Sequence, residues 1–88
     1  MKRITIFHKE HCQSCRLTSI MLRKLGVLYD LHPLDDGSEG AEAALARAKA
    51  LGLTSAPIVE LRNEEGEIVR TISGYNPKAL REISEAAR

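Results

Sequence analysis

The order of apolar and polar residues along the chain predicts four strands and three helices. Four short segments, rich in aliphatic and β-branched residues, have the pattern of strands and cover residues 2–7, 27–32, 58–62 and 67–72. Three longer segments, with apolar residues three and four positions apart, have the pattern of helices and cover residues 16–25, 41–51 and 77–87. The predicted order is β-α-β-α-β-β-α. The first two strands, joined by a helix, should be parallel, and the last two should form a hairpin.

Residues typical of helix ends support these boundaries. Ser38 and Asn76 are suitable N-caps, and Pro77 stands at the first position of the last helix. Gly26 and Gly52 follow the first two helices, as glycine often does. We expect each helix to turn its apolar residues toward the sheet. These are Leu17, Ile20, Met21, Leu22 and Leu25 on the first, Ala41, Ala44, Leu45, Ala48 and Leu51 on the second, and Leu80, Ile83 and Ala87 on the third.

Length and charge limit the class of protein. The 88 residues suffice for one domain, which we take as residues 1–88, and we expect a monomer. The net charge of +1, without a basic run, argues against nucleic acid as a partner. No apolar stretch approaches the length of a membrane span, and the basic start lacks the apolar core of a signal peptide. We therefore expect a cytoplasmic protein without a membrane partner.

Both cysteines of the chain, Cys12 and Cys15, lie between the first predicted strand and the first predicted helix, with two residues between them. Unpaired N–H groups and the positive end of the helix dipole favour a thiolate at this place. The thiolate is the nucleophile of disulfide exchange. We therefore expect Cys12 to attack a substrate disulfide and Cys15, one helical turn on, to resolve the mixed disulfide. This redox-active pair needs no bound cofactor.

Two other interpretations of the cysteine pair remain open from the residues alone. The segment His8-x-x-His11-Cys12-x-x-Cys15 contains four potential zinc ligands, so the chain is alternatively a metal-binding module. Ligands this crowded differ from the usual zinc finger, whose two pairs come from separate segments. The two cysteines alternatively form a purely structural disulfide. A C-x-x-C motif beside a βαβ pattern favours redox chemistry over both.

Several motifs resemble the thioredoxin fold in its short, glutaredoxin-like form, and more specifically the NrdH-redoxins. The resemblance covers essentially the whole chain. It rests on Lys9 three residues before Cys12, Cys15-Arg16-Leu17-Thr18, Leu25-Gly26-Val27, Ala50-Leu51-Gly52 followed by Ala56-Pro57-Ile58-Val59, and Ser73-Gly74-Tyr75-Asn76-Pro77. The pair Gln13-Ser14 departs from the pairs common in these families. The loop at Gly74 also lacks the second glycine and the acidic residues with which glutaredoxins hold glutathione.

The resemblance implies an α/β protein with the thioredoxin-like fold, in which three helices flank a four-stranded mixed sheet. It implies a cis peptide bond between Ala56 and Pro57, where backbone groups would be offered to an extended substrate segment. It also implies that Lys9 helps to stabilise the Cys12 thiolate by its charge. The other residues expected to contact substrates or partner proteins are Gln13, Ser14, Gly74 and Tyr75.

By the same resemblance, the chain is expected to be a small protein-disulfide oxidoreductase. It would donate electrons to ribonucleotide reductase and be reduced in turn by thioredoxin reductase. A glutathione-dependent glutaredoxin is the alternative, which the missing glutathione motif disfavours. His11 is a second candidate for stabilising the thiolate. Thr18 has two candidate roles, a hydrogen bond back into its own helix or a contact with a partner protein.

Overall fold

The computed structural model describes residues 2–88 and contains the elements expected from the sequence, in the expected order. The strands are β1 (Arg3–His8), β2 (Asp30–Pro33), β3 (Ile58–Arg62) and β4 (Ile68–Ser73). The helices are α1 (Gln13–Lys24), α2 (Glu39–Ala50) and α3 (Pro77–Ala87). Each of these helices has at most 12 residues, and none has the length and apolar character needed to span a lipid bilayer.

The four strands form one mixed sheet in the order β2-β1-β3-β4. β1 pairs in parallel with β2, as the intervening helix predicted, and antiparallel with β3 on its other side. β3 and β4 form the predicted antiparallel hairpin, with an irregularity in the register at Leu61 and Arg62. The predicted element order and the four-stranded mixed sheet are therefore confirmed.

Helices cover both faces of the sheet. α1 and α3 pack on one face, where the buried cluster consists of Ile4, Ile6, Leu22, Val59, Leu61, Ile72, Ala79, Leu80 and Ile83. α2 covers the other face, with a smaller cluster of Phe7, Leu34, Ala44, Ala48 and Ile58. Since β1 and β3 are buried from both sides, the C-terminal end of β1, after which the cysteines follow, is held by the core.

The ends of α1 and α2 have the same hydrogen-bond arrangement. After α1, the Val27 N–H donates to the Leu22 carbonyl at 3.3 Å, and Gly26 between them has a φ of 74°. This is a Schellman motif, and Gly52 occupies the same place after α2 with the same φ. Because Val27 belongs to the helix end, β2 begins at Asp30, and the predicted strand start at residue 27 is wrong.

The buried face of α1 differs from the predicted one. The residues removed from solvent are Cys15, Thr18 and Leu22, whereas Leu17 is 36% exposed. Thr18 can occupy the centre of this face because its hydroxyl donates to the Ser14 carbonyl at 2.8 Å, which satisfies the buried donor. The prediction counted apolar side chains only and therefore turned the helix away from Thr18.

The predicted face of α2 is right in its alanines and wrong in its leucines. Ala41, Ala44 and Ala48 are buried, but Leu45 and Leu51 are 41% and 61% exposed. Leu51 is the C-cap residue, beyond the last turn of the helix. Leu45 lines an open groove beside the helix. The small side chains therefore form the apolar contact of α2 with the sheet.

Candidate redox site

Cys12 and Cys15 are joined by a disulfide at the start of α1. Their Cα atoms are 5.2 Å apart, a separation typical of disulfides. Cys12 is the N-cap residue and has an extended backbone, and the Arg16 N–H donates to its carbonyl at 3.1 Å. The helix therefore begins at Gln13, and the predicted start at residue 16 is wrong. Both sulfurs lie at the first turn, as the position of the cysteines predicted.

The Cys12 sulfur takes the place of a capping side chain. Its Sγ atom accepts a hydrogen bond from the Cys15 N–H at 3.1 Å, one of the donors that a helix leaves without an internal partner. The first turn of α1 contains no acidic side chain that would offset the positive end of the helix dipole. Both features favour negative charge on this sulfur once the disulfide is reduced. The thiolate form of Cys12 at neutral pH stays a prediction.

The two sulfurs differ in their accessibility. Cys12 is half-buried, whereas Cys15 is 4% exposed. His11, the residue before Cys12, has a φ of 55°, in the left-handed region that residues other than glycine rarely adopt. This conformation turns the chain from the loop after β1 into α1. Because Cys12 is more exposed than Cys15, a molecule that approaches the disulfide from solvent meets Cys12 first.

A cleft of about 500 Å³ opens beside the disulfide, at the start of α1 and next to β1 and β2. Its lining residues are His8, Lys9, His11, Cys12, Gln13, Cys15, Arg16, Ser19 and Leu31. The lining contains two cationic side chains and two histidines but no carboxylate. We call it the basic cleft. Of the residues expected to contact a substrate or to stabilise the thiolate, Lys9, His11 and Gln13 lie here.

The peptide bond between Ala56 and Pro57, just before β3, is cis, as the resemblance implied. The Pro57 carbonyl accepts a hydrogen bond from the Gly74 N–H at 2.9 Å. The Ser73 hydroxyl donates to the Ser55 carbonyl at 2.6 Å and accepts from the Ser55 N–H at 2.9 Å. These three hydrogen bonds hold the segment before β3 against the segment at the end of β4.

Gly74 has a φ of 73°, in the left-handed region that favours glycine. A side chain at this position would place its Cβ atom 3.5 Å from the Cβ atom of Ser55, which is an ordinary contact distance. The pairing of Ser55 with Ser73 was missed by the sequence analysis. Two serines 18 positions apart in different segments form no local pattern that would have revealed it.

The remaining candidate residues lie outside the basic cleft. Ala56 lines a second groove, of about 250 Å³, and Tyr75 lines a third, of about 290 Å³ along α1. Lys9 lines the second groove as well as the basic cleft. The Tyr75 hydroxyl lies 3.7 Å from the Met21 sulfur. Ser14 is half-buried between the two cysteines.

Thr18 has the first of its two expected roles. The side chain is completely buried, and its hydroxyl donates to the Ser14 carbonyl one turn earlier. A residue without exposed surface has no area to offer to a partner protein. The hydrogen bond back into the helix is therefore confirmed, and the partner contact is wrong.

The residues present do not form the metal site that the sequence left open. Between residues 2 and 88, no group of three or more histidine, cysteine or carboxylate side chains is arranged to hold a metal ion. His8 and His11 line the basic cleft, but the sulfurs of Cys12 and Cys15 are bonded to each other.

Comparison of the sequence with protein-family models and with curated proteins gives no match. The structure, in contrast, is similar to several solved structures. The glutaredoxin-like protein NrdH-redoxin from Escherichia coli has a TM-score of 0.70 at 25% sequence identity, over 92% of this chain and 93% of that chain.

Two further solved structures, both less than 25% identical in sequence, support the fold alone. The glutaredoxin from Archaeoglobus fulgidus has a TM-score of 0.66 at 21% identity, over 93% of this chain and 85% of that one. The oxidised thioredoxin from Plasmodium falciparum has a TM-score of 0.69 at 22% identity, over 99% and 82%. The thioredoxin-like fold expected from the sequence is confirmed.

Proposed function

We propose that this chain, a thiol–disulfide oxidoreductase of the thioredoxin-fold superfamily, is a dithiol carrier that reduces disulfides in other proteins. The Cys12 thiolate attacks one sulfur of a substrate disulfide, which forms a mixed disulfide and releases the other substrate sulfur as a thiolate. The Cys15 thiolate then attacks the Cys12 sulfur, and the second substrate thiolate leaves. The substrate gains two electrons and, as its thiolates protonate, two protons. Counted from its dithiol form, the protein loses two electrons and, as its thiols ionise before each attack, two protons, and it ends with the Cys12–Cys15 disulfide.

The observation that carries this proposal is the unequal exposure of two sulfurs that lie within bonding distance. Cys12 is half-buried at the N-cap of α1, and Cys15 is 4% exposed behind it. Attack on another protein needs an accessible thiolate, which suits Cys12. Resolution of the mixed disulfide needs only access to the neighbouring sulfur, which suits Cys15.

We assign the contact with substrate to the surface that surrounds Cys12. Part of it is the cis segment, whose backbone groups can pair with an extended substrate segment as an added strand does. The rest consists of side chains at the start of α1, in the loop before it and in the loop after β4. The residues proposed for these contacts are Lys9, Gln13, Ser14, Ala56, Pro57, Gly74 and Tyr75.

For the electron partners, the proposal names thioredoxin reductase as the reductant and ribonucleotide reductase as an acceptor. The similarity to NrdH-redoxin supports this choice, since that glutaredoxin-like protein is described as having a thioredoxin-like activity profile. Residues 73–76 also contain one glycine and no acidic side chain, unlike the glutathione site that the resemblance to glutaredoxins would require. A dithiol carrier of this kind works in a reducing compartment, and the cytoplasm is the one proposed.

Reduction of insulin disulfides tests the activity and the reductant together. NADPH consumption is followed in two parallel assays, one with thioredoxin reductase and one with glutathione and glutathione reductase. We expect turnover in the first assay only. Cys12→Ser should abolish turnover because the attacking thiolate is missing. Cys15→Ser should accumulate a mixed disulfide with the substrate, since the resolving thiolate is missing.

Each alternative result has a separate meaning. Turnover with glutathione alone would replace the proposed reductant and keep the oxidoreductase. A mixed disulfide that forms on Cys15 in the Cys12→Ser variant, and none on Cys12 in the Cys15→Ser variant, would exchange the two roles. The proposed function would be wrong if protein with two free thiols reduced insulin with neither system.

A further inference from the structure

We propose that the basic cleft selects protein disulfides that carry carboxylate side chains beside the attacked cysteine. This inference rests on the proposed function, because it adds a preference among substrates to the same reaction. Lys9 and Arg16 bind these carboxylates while Cys12 attacks the neighbouring sulfur. The occupant of the cleft is therefore an acidic, disulfide-bearing segment of another protein.

Among residues 2–88, no carboxylate lies within ion-pair distance of Lys9 or Arg16. Both side chains are exposed. Four arginines elsewhere each have a carboxylate oxygen within 3.8 Å, namely Arg3, Arg47, Arg62 and Arg70. The cations beside the disulfide are thus available to a second molecule, whereas those four are engaged in the fold.

The shape of the cleft brings these charges next to the attacked sulfur. Cys12, Arg16 and Ser19 follow one another at spacings of four and three residues, and they lie along one side of α1. His8, at the end of β1, and Leu31, of β2, complete the lining toward the sheet. A substrate cysteine bonded to Cys12 therefore places its sequence neighbours beside the cations.

The two sides of Cys12 differ in what they can recognise. In the sheet, β2 and β3 lie on opposite sides of β1. The basic cleft includes Leu31 of β2, and the Ala56–Pro57 segment leads into β3. Hydrogen bonds between backbone groups at that segment do not depend on the charge of the substrate side chains. Selection by charge therefore falls to cationic side chains, which attract carboxylates during the approach. Arg16 lines the basic cleft alone, whereas Lys9 also borders the groove at Ala56, which Lys49 lines as well.

Two synthetic peptides with one internal disulfide test this preference. They are identical except that glutamates flank one cysteine in the first peptide and glutamines flank it in the second. Reduced protein, freed of reductant, is mixed with excess peptide, and the second-order rate constant is measured by acid quenching and mass spectrometry. No reductase is present, so any preference belongs to the reaction with the peptide.

We expect the acidic peptide to react roughly tenfold faster than the neutral one at an ionic strength of about 0.01 M. At about 1 M the two rate constants should converge, since the Debye length falls from about 30 Å to about 3 Å. Arg16→Gln and Lys9→Gln should each lower the acidic-to-neutral ratio roughly threefold at low ionic strength, the effect of one exposed ion pair. The ratio cancels any change in the general reactivity of Cys12, because that change affects both peptides alike.

Arg23→Gln is the matched control. Arg23 is an exposed residue of the same helix, lies outside the basic cleft and carries the same charge as Arg16. Its substitution should leave the ratio unchanged. An equal fall of the ratio in Arg23→Gln would overturn the inference, because the preference would then follow net charge and not the cleft.

Two further outcomes separate this inference from the proposed function. If both peptides are reduced with equal rate constants at low ionic strength, the preference is wrong and the oxidoreductase remains. If neither peptide is reduced by protein with two free thiols, the proposed function fails, and the preference fails with it.

Discussion

Replacing Arg47 by methionine should destabilise the protein, because it leaves the Glu60 carboxylate buried without its main partner. Glu60 lies in β3 and is completely buried. Arg47 of α2 donates two hydrogen bonds to it, from Nε to Oε2 at 2.8 Å and from Nη2 to Oε1 at 2.9 Å. A second cation, Arg62, lies farther away, with its Nη2 atom 3.8 Å from Oε1. Methionine keeps an unbranched apolar side chain but has neither the charge nor the donors.

The magnitude follows from the burial of the two partners. Breaking a buried ion pair by removing one partner costs about 3–5 kcal/mol. Here the Arg47 side chain is 35% exposed, so water reaches the pair, and Arg62 stays near the remaining carboxylate. We therefore expect the free energy of unfolding to fall by about 2–3 kcal/mol. A loss of this size lowers the melting temperature of a domain of this length by roughly 10–20 °C.

Urea unfolding followed by circular dichroism measures this loss, and the chain offers a matched control. Arg70 and Glu82 form an ion pair with the same 2.8 Å separation, but their side chains are 42% and 46% exposed. Arg70→Met should therefore cost less than about 1 kcal/mol. In the double variant Arg47→Met/Glu60→Leu, most of the lost stability should return, because no buried charge remains.

The comparison of these variants decides whether burial sets the cost. Equal losses in Arg47→Met and Arg70→Met would refute the reasoning, since they would show that the burial of Glu60 contributes nothing. A double variant no more stable than Arg47→Met would refute it too. The loss would then come from the packing of the arginine side chain and not from an unpaired carboxylate.

Four smaller substitutions test local features. Thr18→Val should cost about 1 kcal/mol or less and leave insulin reduction unchanged, since the buried hydroxyl bonds only within its own helix; a large fall in turnover would contradict this purely structural role. Gly74→Ala and Gly66→Ala should each lower stability by about 1–2 kcal/mol in urea unfolding, because both glycines have positive φ. Only Gly74→Ala should slow insulin reduction, since Gly74 belongs to the proposed contact surface and Gly66 does not. Hydrogen bonds from Ser38 lower the pKa of Asp36. The stability that this carboxylate contributes is present above its ordinary pKa and is lost as the pH falls through the lowered value. Asp36→Ala should therefore lower the free energy of unfolding at neutral pH and lower it less in acid. An equal loss at both pH values would contradict this.

The features that were predictable from the sequence depend on residues close together in the chain. Gly26 and Gly52 each end a helix through hydrogen bonds to the turn just before them, and Asn76 begins one by accepting from the Ala79 N–H at 3.1 Å. The position of Cys12 at the start of α1 followed from the same local pattern of strand, loop and helix. No knowledge of tertiary packing is needed for any of these.

The features that were missed join residues that only the fold brings together. Ser55 and Ser73 meet because the segment before β3 lies against the end of β4. From the sequence alone, Glu60 would be taken for an exposed strand residue. Only the fold shows that α2 places Arg47 over its carboxylate. The face of α1 was misplaced for a related reason, since a polar Thr18 becomes a core residue only where its hydroxyl is satisfied within the helix.

The backbone contact that caps α1 explains how one fold can serve both redox states. In the disulfide form, the Cys12 sulfur already accepts the Cys15 N–H at 3.1 Å. A thiolate in the same place is a stronger acceptor than a disulfide sulfur, so reduction strengthens an existing hydrogen bond and demands no new one. The same N–H group that orders the helix is therefore placed to stabilise the thiolate proposed at Cys12. Because the core holds the end of β1 and the buried face of α1, we expect the Cys12 sulfur to keep its position beside the basic cleft when the disulfide is reduced.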